Sequence, residues 1–173
     1  MNLIETARLN LRRLGLHDAS FILELLNEPT FIRFIGDKGV RSLKDACDYL
    51  EKGPIGSYRR FGFGLYLTSL RASGEPIGIC GLVKRDALQD VDVGFALMPQ
   101  FAGFGYATES AAAVLAYGKR EFGLKRIVGI TDPDNHASIA VLRKIGLRFE
   151  RNVALELSGE EVQLFGPAGA APS

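Results

Sequence analysis

The chain has 173 residues, 47% of them hydrophobic, which is enough to bury the core of one domain. Its formal net charge of +1 provides no long-range attraction for nucleic acid or anionic lipid, so we expect neither partner. The start of the chain lacks the pattern of a secretory signal, and no window approaches the roughly 18 apolar residues of a membrane span. We therefore expect a cytoplasmic protein with a single domain over residues 1–165.

The first third of the chain predicts one strand and two helices. Hydrophobic and polar residues alternate over residues 9–14, as in a half-buried strand. Asp18 can cap a helix that ends before Pro29. A second helix over residues 42–60 must bend or break at Gly53-Pro54, because proline removes a backbone donor and clashes with the preceding turn.

The middle of the chain predicts three consecutive strands followed by a helix. Residues 61–68 and 76–84 form a hairpin around ordinary turn residues. Residues 91–98 are rich in Val, Phe and Leu, which indicates a fourth strand buried on both faces. After Gly105 the apolar residues recur at helical spacing, so we expect a helix to about residue 123.

The last third predicts a strand, a helix and a closing hairpin. The strand covers residues 126–132, and Asn135 caps the helix that follows it. The strands of the hairpin cover residues 149–157 and 161–165. Residues 166–173 are mainly Pro, Gly and Ala, a composition that predicts a disordered tail.

A glycine-rich turn joins the fourth strand to the helix after it. Gly103 and Gly105 let the backbone bend sharply and approach a ligand without a Cβ in the way. The helix N-terminus adds unpaired N–H groups, so the turn is a natural binding point for a pyrophosphate. A P-loop is excluded because no Gly-Lys-Ser/Thr follows, and a dinucleotide fingerprint fits poorly because Thr108 stands where Gly or Ala is wanted.

The turn resembles motif A of the GCN5-related N-acetyltransferases (GNAT superfamily), Gln/Arg-x-x-Gly-x-Gly/Ala. Gln100, Gly103 and Gly105 meet this pattern, and the flanking residues are similar to the RimJ/RimL-like branch. The sequence departs from that branch at Ala102 and Phe104, where many members carry a Trp and a Lys or Arg. One cation beside the pyrophosphate is therefore missing.

The resemblance implies an α/β fold of the α+β type. The expected sheet is mixed and mostly antiparallel, with six to seven strands and about four flanking helices. It would splay between its fourth and fifth strands to admit acetyl-CoA as co-substrate, and no metal is implied. The residues that the resemblance assigns to acetyl-CoA binding are Leu97, Met98, Gln100, Phe101, Ala102, Gly103, Phe104, Gly105, Tyr106, Ala107, Thr108, Asn135 and Ser138.

A second resemblance lies at the start of the helix after the fifth strand. Asn135 and Ser138 match the family pattern Asn-x-x-Ser-x-x-x-x-x-Lys-x-Gly-Phe, with Leu147 in place of the final Phe. By position, Asn135 would hydrogen-bond the pantetheine arm, and Ser138 would flank the thiol. Asn135 can cap the helix at the same time.

The resemblance also implies direct attack of a neutral amine on the acetyl thioester. A backbone N–H at a bulge in the fourth strand, near residues 94–96 and represented by Phe95, would stabilise the oxyanion. Asp92 is the nearest candidate base, acting through water, and a structural carboxylate is the alternative. Many relatives protonate the thiolate with a Tyr, but Leu142 occupies that position, so we assign the role to Ser138 or to water held by it.

The acceptor is an amine whose identity the sequence leaves open. An α-amino group has a pKa of roughly 8 and a lysine amine roughly 10.4, so the α-amino group needs less help from a base to lose its proton. Because the sequence shows no evident strong base, we favour a protein or peptide N-terminus as the acceptor. The alternatives are a small amine such as an amino sugar, polyamine or antibiotic, and a CoA-binding sensor domain without catalysis. Residues 28–41, unusually apolar for a loop, would either wall the acceptor site or cover the core. Relatives often form homodimers, so a homodimer is a further open expectation.

Overall fold

The computed structural model describes residues 1–155 and 159–169. Its strands are β1 (Asn2–Glu5), β2 (Leu9–Arg13), β3 (Leu65–Leu70), β4 (Pro76–Val83), β5 (Val91–Leu97), β6 (Ile127–Thr131), β7 (Leu147–Ala154) and β8 (Glu161–Pro167). Its α-helices are α1 (Ala19–Leu26), α2 (Pro29–Phe34), α3 (Leu43–Leu50), α4 (Gly56–Phe61), α5 (Tyr106–Phe122) and α6 (His136–Lys144). The described strands form one eight-stranded sheet in the order β1-β2-β3-β4-β5-β6-β8-β7.

The sheet is mixed and mostly antiparallel, which confirms the expected fold class. Within the described residues, β5 and β6 form the parallel pair, and the other neighbouring strands run antiparallel. The parallel pair follows from the connection, because α5 crosses from the end of β5 back to the start of β6. The glycine-rich turn therefore lies at the end of β5, where the chain leaves the sheet.

Helices cover both faces of the sheet. Side chains alternate along each strand, so that Tyr66 of β3 packs in the cluster that contains α5, while Leu67 packs in the cluster under α1 and α3. The same alternation separates Cys80 from Ile79 on β4. The central strands are therefore buried on both faces, as their nearly continuous apolar sequences predict.

The second predicted helix is divided into three helical pieces. Ser42 caps α3 by accepting a hydrogen bond from the backbone N–H of Asp45 at 3.1 Å. A π-helical segment over Glu51–Ile55 then carries Pro54, and α4 follows it directly. The break at Gly53-Pro54 that the sequence predicts thus appears as a wider turn, which accommodates the proline without ending the helical path.

Several elements differ from the predictions. The strand β1 was not predicted, because four residues are too few to show a period, and the sheet has eight strands instead of six to seven. The helix α2 lies in the stretch predicted to be irregular, with Pro29 at its first turn, where proline is tolerated. Together with the division of the second helix, α2 raises the number of described α-helices from the expected four to six.

The C-terminal hairpin pairs as predicted, but its second strand is longer than expected. Gly166 pairs with Arg148 and Pro167 with Leu147, so the predicted tail is wrong for these two residues, which belong to β8. Residues 170–173 lie outside the described residues, as does Ser158 in the predicted turn of the hairpin.

Candidate functional site

The strands β5 and β6 separate part-way along the sheet. Parallel pairing joins Val91 to Ile127 and Asp92 to Val128 and goes no further, whereas β5 stays paired with β4 as far as Leu97. The sheet therefore opens along the second half of β5. This is the splay that the resemblance predicts between the fourth and fifth predicted strands.

The splay leaves backbone N–H groups of β5 facing the gap. The N–H of Met98 donates to the carbonyl of Ile77 on β4 at 2.8 Å. Because N–H groups point to alternate sides along a strand, the N–H of Phe95 faces away from β4, on the side from which β6 has separated. The register of β5 against β4 has no shift from Asp92 to Leu97, so the expected bulge is absent there. Strand separation, and not a bulge, exposes the Phe95 N–H.

A cavity of about 540 Å³ opens at this gap. Phe95 of β5 lines one side of it, and Asn135 and Ser138 line the side at the start of α6. Residues of α2, α3 and α4 form a further part of the wall, here called the helical wall. The residues that these helices contribute include Phe31, Phe34, Tyr49, Ser57, Arg60 and Phe61.

Residues 28–41 serve both of the roles that the sequence left open. Phe34, Ile35 and Lys38 line the cavity. Phe31 lines it as well, and at the same time packs into the buried cluster under α1 and α3. The same segment therefore covers part of the core and forms part of the cavity wall.

The glycine-rich turn lies at the end of β5, before α5. Gly103 and Gly105 have φ values of 85° and 82°, in the left-handed region that favours glycine. A Cβ added at Gly103 would meet nothing within 4 Å, so the backbone there is open to a ligand. Phe104 is 58% exposed and stacks on Tyr106 with ring centroids 5.7 Å apart. The turn can therefore bring backbone N–H groups and the N-terminus of α5 to an anion.

The residues predicted to bind acetyl-CoA lie in two places. Asn135 and Ser138 are in the cavity lining, while residues 97–108 run from the end of β5 through the turn into α5. Among these residues Met98 is the buried one, and its side chain packs in the core under α1 and α3. Its N–H donates to the Ile77 carbonyl and its carbonyl accepts from the Phe101 N–H at 3.0 Å, so Met98 has no free backbone donor for a ligand.

The start of α6 fits the second resemblance. The side-chain oxygen of Asn135 accepts a hydrogen bond from the Ser138 N–H at 3.1 Å, so Asn135 caps the helix. Leu142, one turn beyond Ser138, is 1% exposed and packs in the core above Gly129. The position where many relatives carry Tyr is thus a core position here, and Ser138 is the hydroxyl on α6 that lines the cavity.

Asp92 is a carboxylate in the wall of the cavity. It is 1% exposed, and its Oδ1 lies 3.1 Å from Nε of Arg85. Burial raises the pKa of Asp92 to about 6, and the charge and hydrogen bond of Arg85 offset this only in part. A carboxylate with this pKa is ionised at neutral pH and can accept a proton from an amine.

Sequence reasoning did not identify the cations of the cavity wall. Lys52 and Arg60 lie on the helical wall, and Lys84 and Arg85 follow β4. The pair of Arg85 and Asp92 could have been inferred from the opposite charges at the two ends of the loop between β4 and β5. No local pattern marks Lys52 or Arg60, because their place in the wall depends on how the helical pieces are joined at the π-helical segment.

The chain matches a known protein family and is similar to several curated proteins. The family model described as "Acetyltransferase (GNAT) domain" matches residues 8–148. The uncharacterized N-acetyltransferase YnaD of Bacillus subtilis is 29% identical over 147 residues, covering 85% of this chain and 83% of the relative. The spermidine N(1)-acetyltransferase of Escherichia coli K12 is 25% identical over 142 residues, covering 81% of this chain and 73% of the relative.

Solved structures agree with the family at the level of the fold. The structure of RimL, a ribosomal L7/L12 alpha-N-protein acetyltransferase in complex with coenzyme A, superposes with a TM-score of 0.82. The two chains are 20% identical, and the superposition covers 96% of this chain and 97% of RimL. In the described ranges, no helix combines the length and apolar character needed to cross a membrane. The chain therefore belongs to the GNAT family and is an acetyl-CoA-dependent N-acetyltransferase.

Proposed function

We propose that the protein transfers the acetyl group of acetyl-CoA to the α-amino group of a protein or peptide N-terminus. The observation that carries this proposal is the charge of the cavity wall. Among the described residues that line the cavity, the cationic ones are Lys38, Lys52, Arg60, Lys84 and Arg85, and the acidic ones are Asp92 and Asp132. Five cations against two carboxylates give the wall an excess of positive charge.

This charge disfavours a polyamine as acceptor. Spermidine, the substrate in the name of the E. coli relative, is a polycation that such a wall would repel. A peptide carries one ammonium group at its N-terminus, and acidic side chains that follow it would be attracted by the wall. The name of RimL, an alpha-N-protein acetyltransferase, agrees with this choice of acceptor.

The apolar part of the wall suits the residues next to the reacting amine. Phe31 and Phe34 of α2 and Phe61 of α4 line the cavity, as do Asn135 and Ser138 at the start of α6. We therefore assign the part of the cavity next to α6 to the thioester and the part next to α2 and α4 to the acceptor. Asn135 would donate through its side-chain NH₂ to the pantetheine arm, because its oxygen is already occupied by the helix cap.

The proposed reaction is a direct transfer in which one N–C bond forms and one C–S bond breaks. Asp92, directly or through water, takes the proton that the acceptor amine loses. The N–H of Phe95 stabilises the negative charge that develops on the carbonyl oxygen. The hydroxyl of Ser138, or water bound to it, gives a proton to the departing thiolate.

A panel of acceptors tests this proposal. Thiol release from acetyl-CoA is measured with peptides that share one N-terminal residue but carry acidic, neutral or basic residues after it. Spermidine, an amino sugar and a peptide with a blocked N-terminus and a free lysine complete the panel. We expect release with the free N-termini, fastest for the acidic peptide, and none with the blocked peptide.

Other outcomes would contradict the proposal in distinct ways. Release with spermidine or the amino sugar alone would establish a small-molecule acetyltransferase. Acetyl-CoA binding without release on any amine would indicate a CoA-sensing domain. The single domain over residues 1–165, the homodimer and the cytoplasmic location stay predictions.

A further inference from the structure

Arg8 lies against the N-terminus of α5, although it belongs to the loop between β1 and β2. Its Nε donates to Oε1 of Glu109 at 2.8 Å, and its backbone N–H donates to Oε2 of the same carboxylate at 3.0 Å. Its guanidinium carbon also lies 4.5 Å from the centre of the Tyr106 ring. These contacts hold the side chain in one orientation beside the first turn of the helix.

The free end of the Arg8 side chain points to the glycine-rich turn. Nη2 lies 3.4 Å from the position that a Cβ on Gly105 would occupy. In the described part of the chain, Glu109 accepts from Nε, and no hydrogen bond joins Nη1 or Nη2 to the protein. Two guanidinium nitrogens are therefore available at the turn whose backbone is open to an anion.

Arg8 places a positive charge beside the glycine-rich turn, which has no cationic side chain of its own. Residues 99–107 contain no Lys or Arg, and Phe104 at the centre of the turn is an exposed aromatic ring. We propose that Arg8 supplies the missing cation and binds the pyrophosphate of acetyl-CoA through Nη1 and Nη2. The inference rests on the proposed use of the turn as the pyrophosphate site.

Glu109 acts as a positioning residue for Arg8. Its Oε2 also accepts a hydrogen bond from Oγ1 of Thr6 at 2.6 Å. Burial alone would raise the pKa of Glu109, but the hydrogen bonds from Thr6 and Arg8 and the charge of Arg8 outweigh it and lower the pKa. The carboxylate is thus ionised at neutral pH and anchors Nε, which leaves the fork of the guanidinium for the phosphate oxygens.

The experiment compares two acetyl donors. Acetyl-CoA carries the pyrophosphate, whereas S-acetylpantetheine carries the same thioester arm without it. We expect Arg8→Gln to raise KM for acetyl-CoA about tenfold and to leave kcat/KM for S-acetylpantetheine unchanged. Arg8→Lys, which keeps the charge but not the fork, should recover part of the loss. Arg71→Gln is the matched control, because Arg71 donates to the Thr6 carbonyl in the same loop and its loss changes the net charge equally.

Two outcomes would overturn the inference. An equal loss with both donors would mean that Arg8 acts only on the structure of the loop, and no loss with either donor would remove it from the site. Calorimetric titration with CoA and with dephospho-CoA needs no acceptor, so it tests Arg8 even if the proposed acceptor is wrong. An equal loss of affinity for both ligands is expected, and a loss confined to CoA would assign Arg8 to the 3′-phosphate instead.

Discussion

Asn135 accepts a hydrogen bond from the backbone N–H of Ser138, so one oxygen both starts α6 and orients the site. Because the cap occupies this oxygen, the side-chain NH₂ is the part of Asn135 that remains for a ligand. Asn135→Ser keeps a capping oxygen and removes the NH₂, whereas Asn135→Ala removes both. We expect KM for acetyl-CoA to rise about fivefold in both variants. Thermal unfolding should show a loss of about 1 kcal/mol in the Ala variant alone. An unchanged KM in the Ser variant would restrict Asn135 to the cap.

Ser138 carries the second prediction. Its hydroxyl lines the cavity, while Leu142 is buried in the core and cannot act as a proton donor. Ser138→Ala should lower kcat about tenfold and leave the affinity for acetyl-CoA unchanged, because only the transition state uses the hydroxyl. Ser138→Thr keeps a hydroxyl and is the control. Equal turnover in the wild type and the Ala variant would remove Ser138 from the mechanism.

Asp92 predicts how the rate depends on pH. A base must be ionised, so kcat/KM should rise with pH through an inflection near pH 6 that Asp92→Asn abolishes. Deprotonation of the acceptor amine adds a second rise near its own pKa of roughly 8, which both proteins should show. Identical profiles for the two proteins would make Asp92 a structural carboxylate.

The raised pKa of Asp92 also predicts how stability depends on pH. The folded pKa of about 6 lies above the ordinary value of 3.8, so between these values the folded state binds more protons than the unfolded state. The contribution of Asp92 to stability is therefore fully present below pH 3.8 and is lost as the pH rises through 6. Denaturant titrations at pH 5 and pH 8 should show a smaller difference for Asp92→Asn than for the wild type. An equal difference in both proteins would mean that burial does not raise this pKa.

Gly105 tests the pyrophosphate site. Gly105→Glu places a carboxylate at the turn and should abolish measurable acetyl-CoA binding through bulk and charge. The variant also forces a side chain into the left-handed region, which costs roughly 1–2 kcal/mol. Gly74→Glu is the control, since Gly74 has a φ of 78° and open space around it in the loop between β3 and β4. Both variants should lose similar stability, and retained acetyl-CoA affinity in Gly105→Glu would place the pyrophosphate elsewhere.

The charge of the helical wall predicts acceptor preference. Arg60→Glu reverses one cation of the cavity lining and should lower kcat/KM for an acidic peptide about fivefold while changing that for a neutral peptide little. Lys119→Glu makes the same change of net charge near the end of α5, outside the cavity lining, and should affect neither peptide. An equal loss of kcat/KM for both peptides, or in both variants, would show that the charge of this wall does not determine the choice of acceptor.

The sequence predicted the elements whose patterns are local and long enough to repeat. The strand β5, the helix α5 and the cap at Asn135 appear within about one residue of their expected positions. The short helix α2 was missed because Pro29 was interpreted as ending a helix, whereas it occupies the first turn of the next one. The strand β1 was missed because a four-residue strand is defined mainly by its pairing with β2.

The site could be predicted where it depends on backbone geometry. The two glycines of the turn indicate positive φ values, which the structure has at both positions. The separation of β5 from β6 was predicted from the family resemblance. The cations at Arg8 and Arg60 could not be predicted, because their positions depend on tertiary packing. The contact between Arg8 and Glu109 joins residues 101 positions apart in the chain. The expected bulge in β5 was wrong, because the separation of β6 already exposes the backbone at Phe95.

The most direct test of the proposed function is to locate the acetyl group on a product. A peptide with a free N-terminus, an acidic second residue and an internal lysine is incubated with acetyl-CoA and the protein, and tandem mass spectrometry identifies the modified nitrogen. We predict acetylation of the N-terminal nitrogen, with the lysine left unmodified. Acetylation of the lysine alone, or an unmodified peptide under conditions in which spermidine is acetylated, would contradict the account.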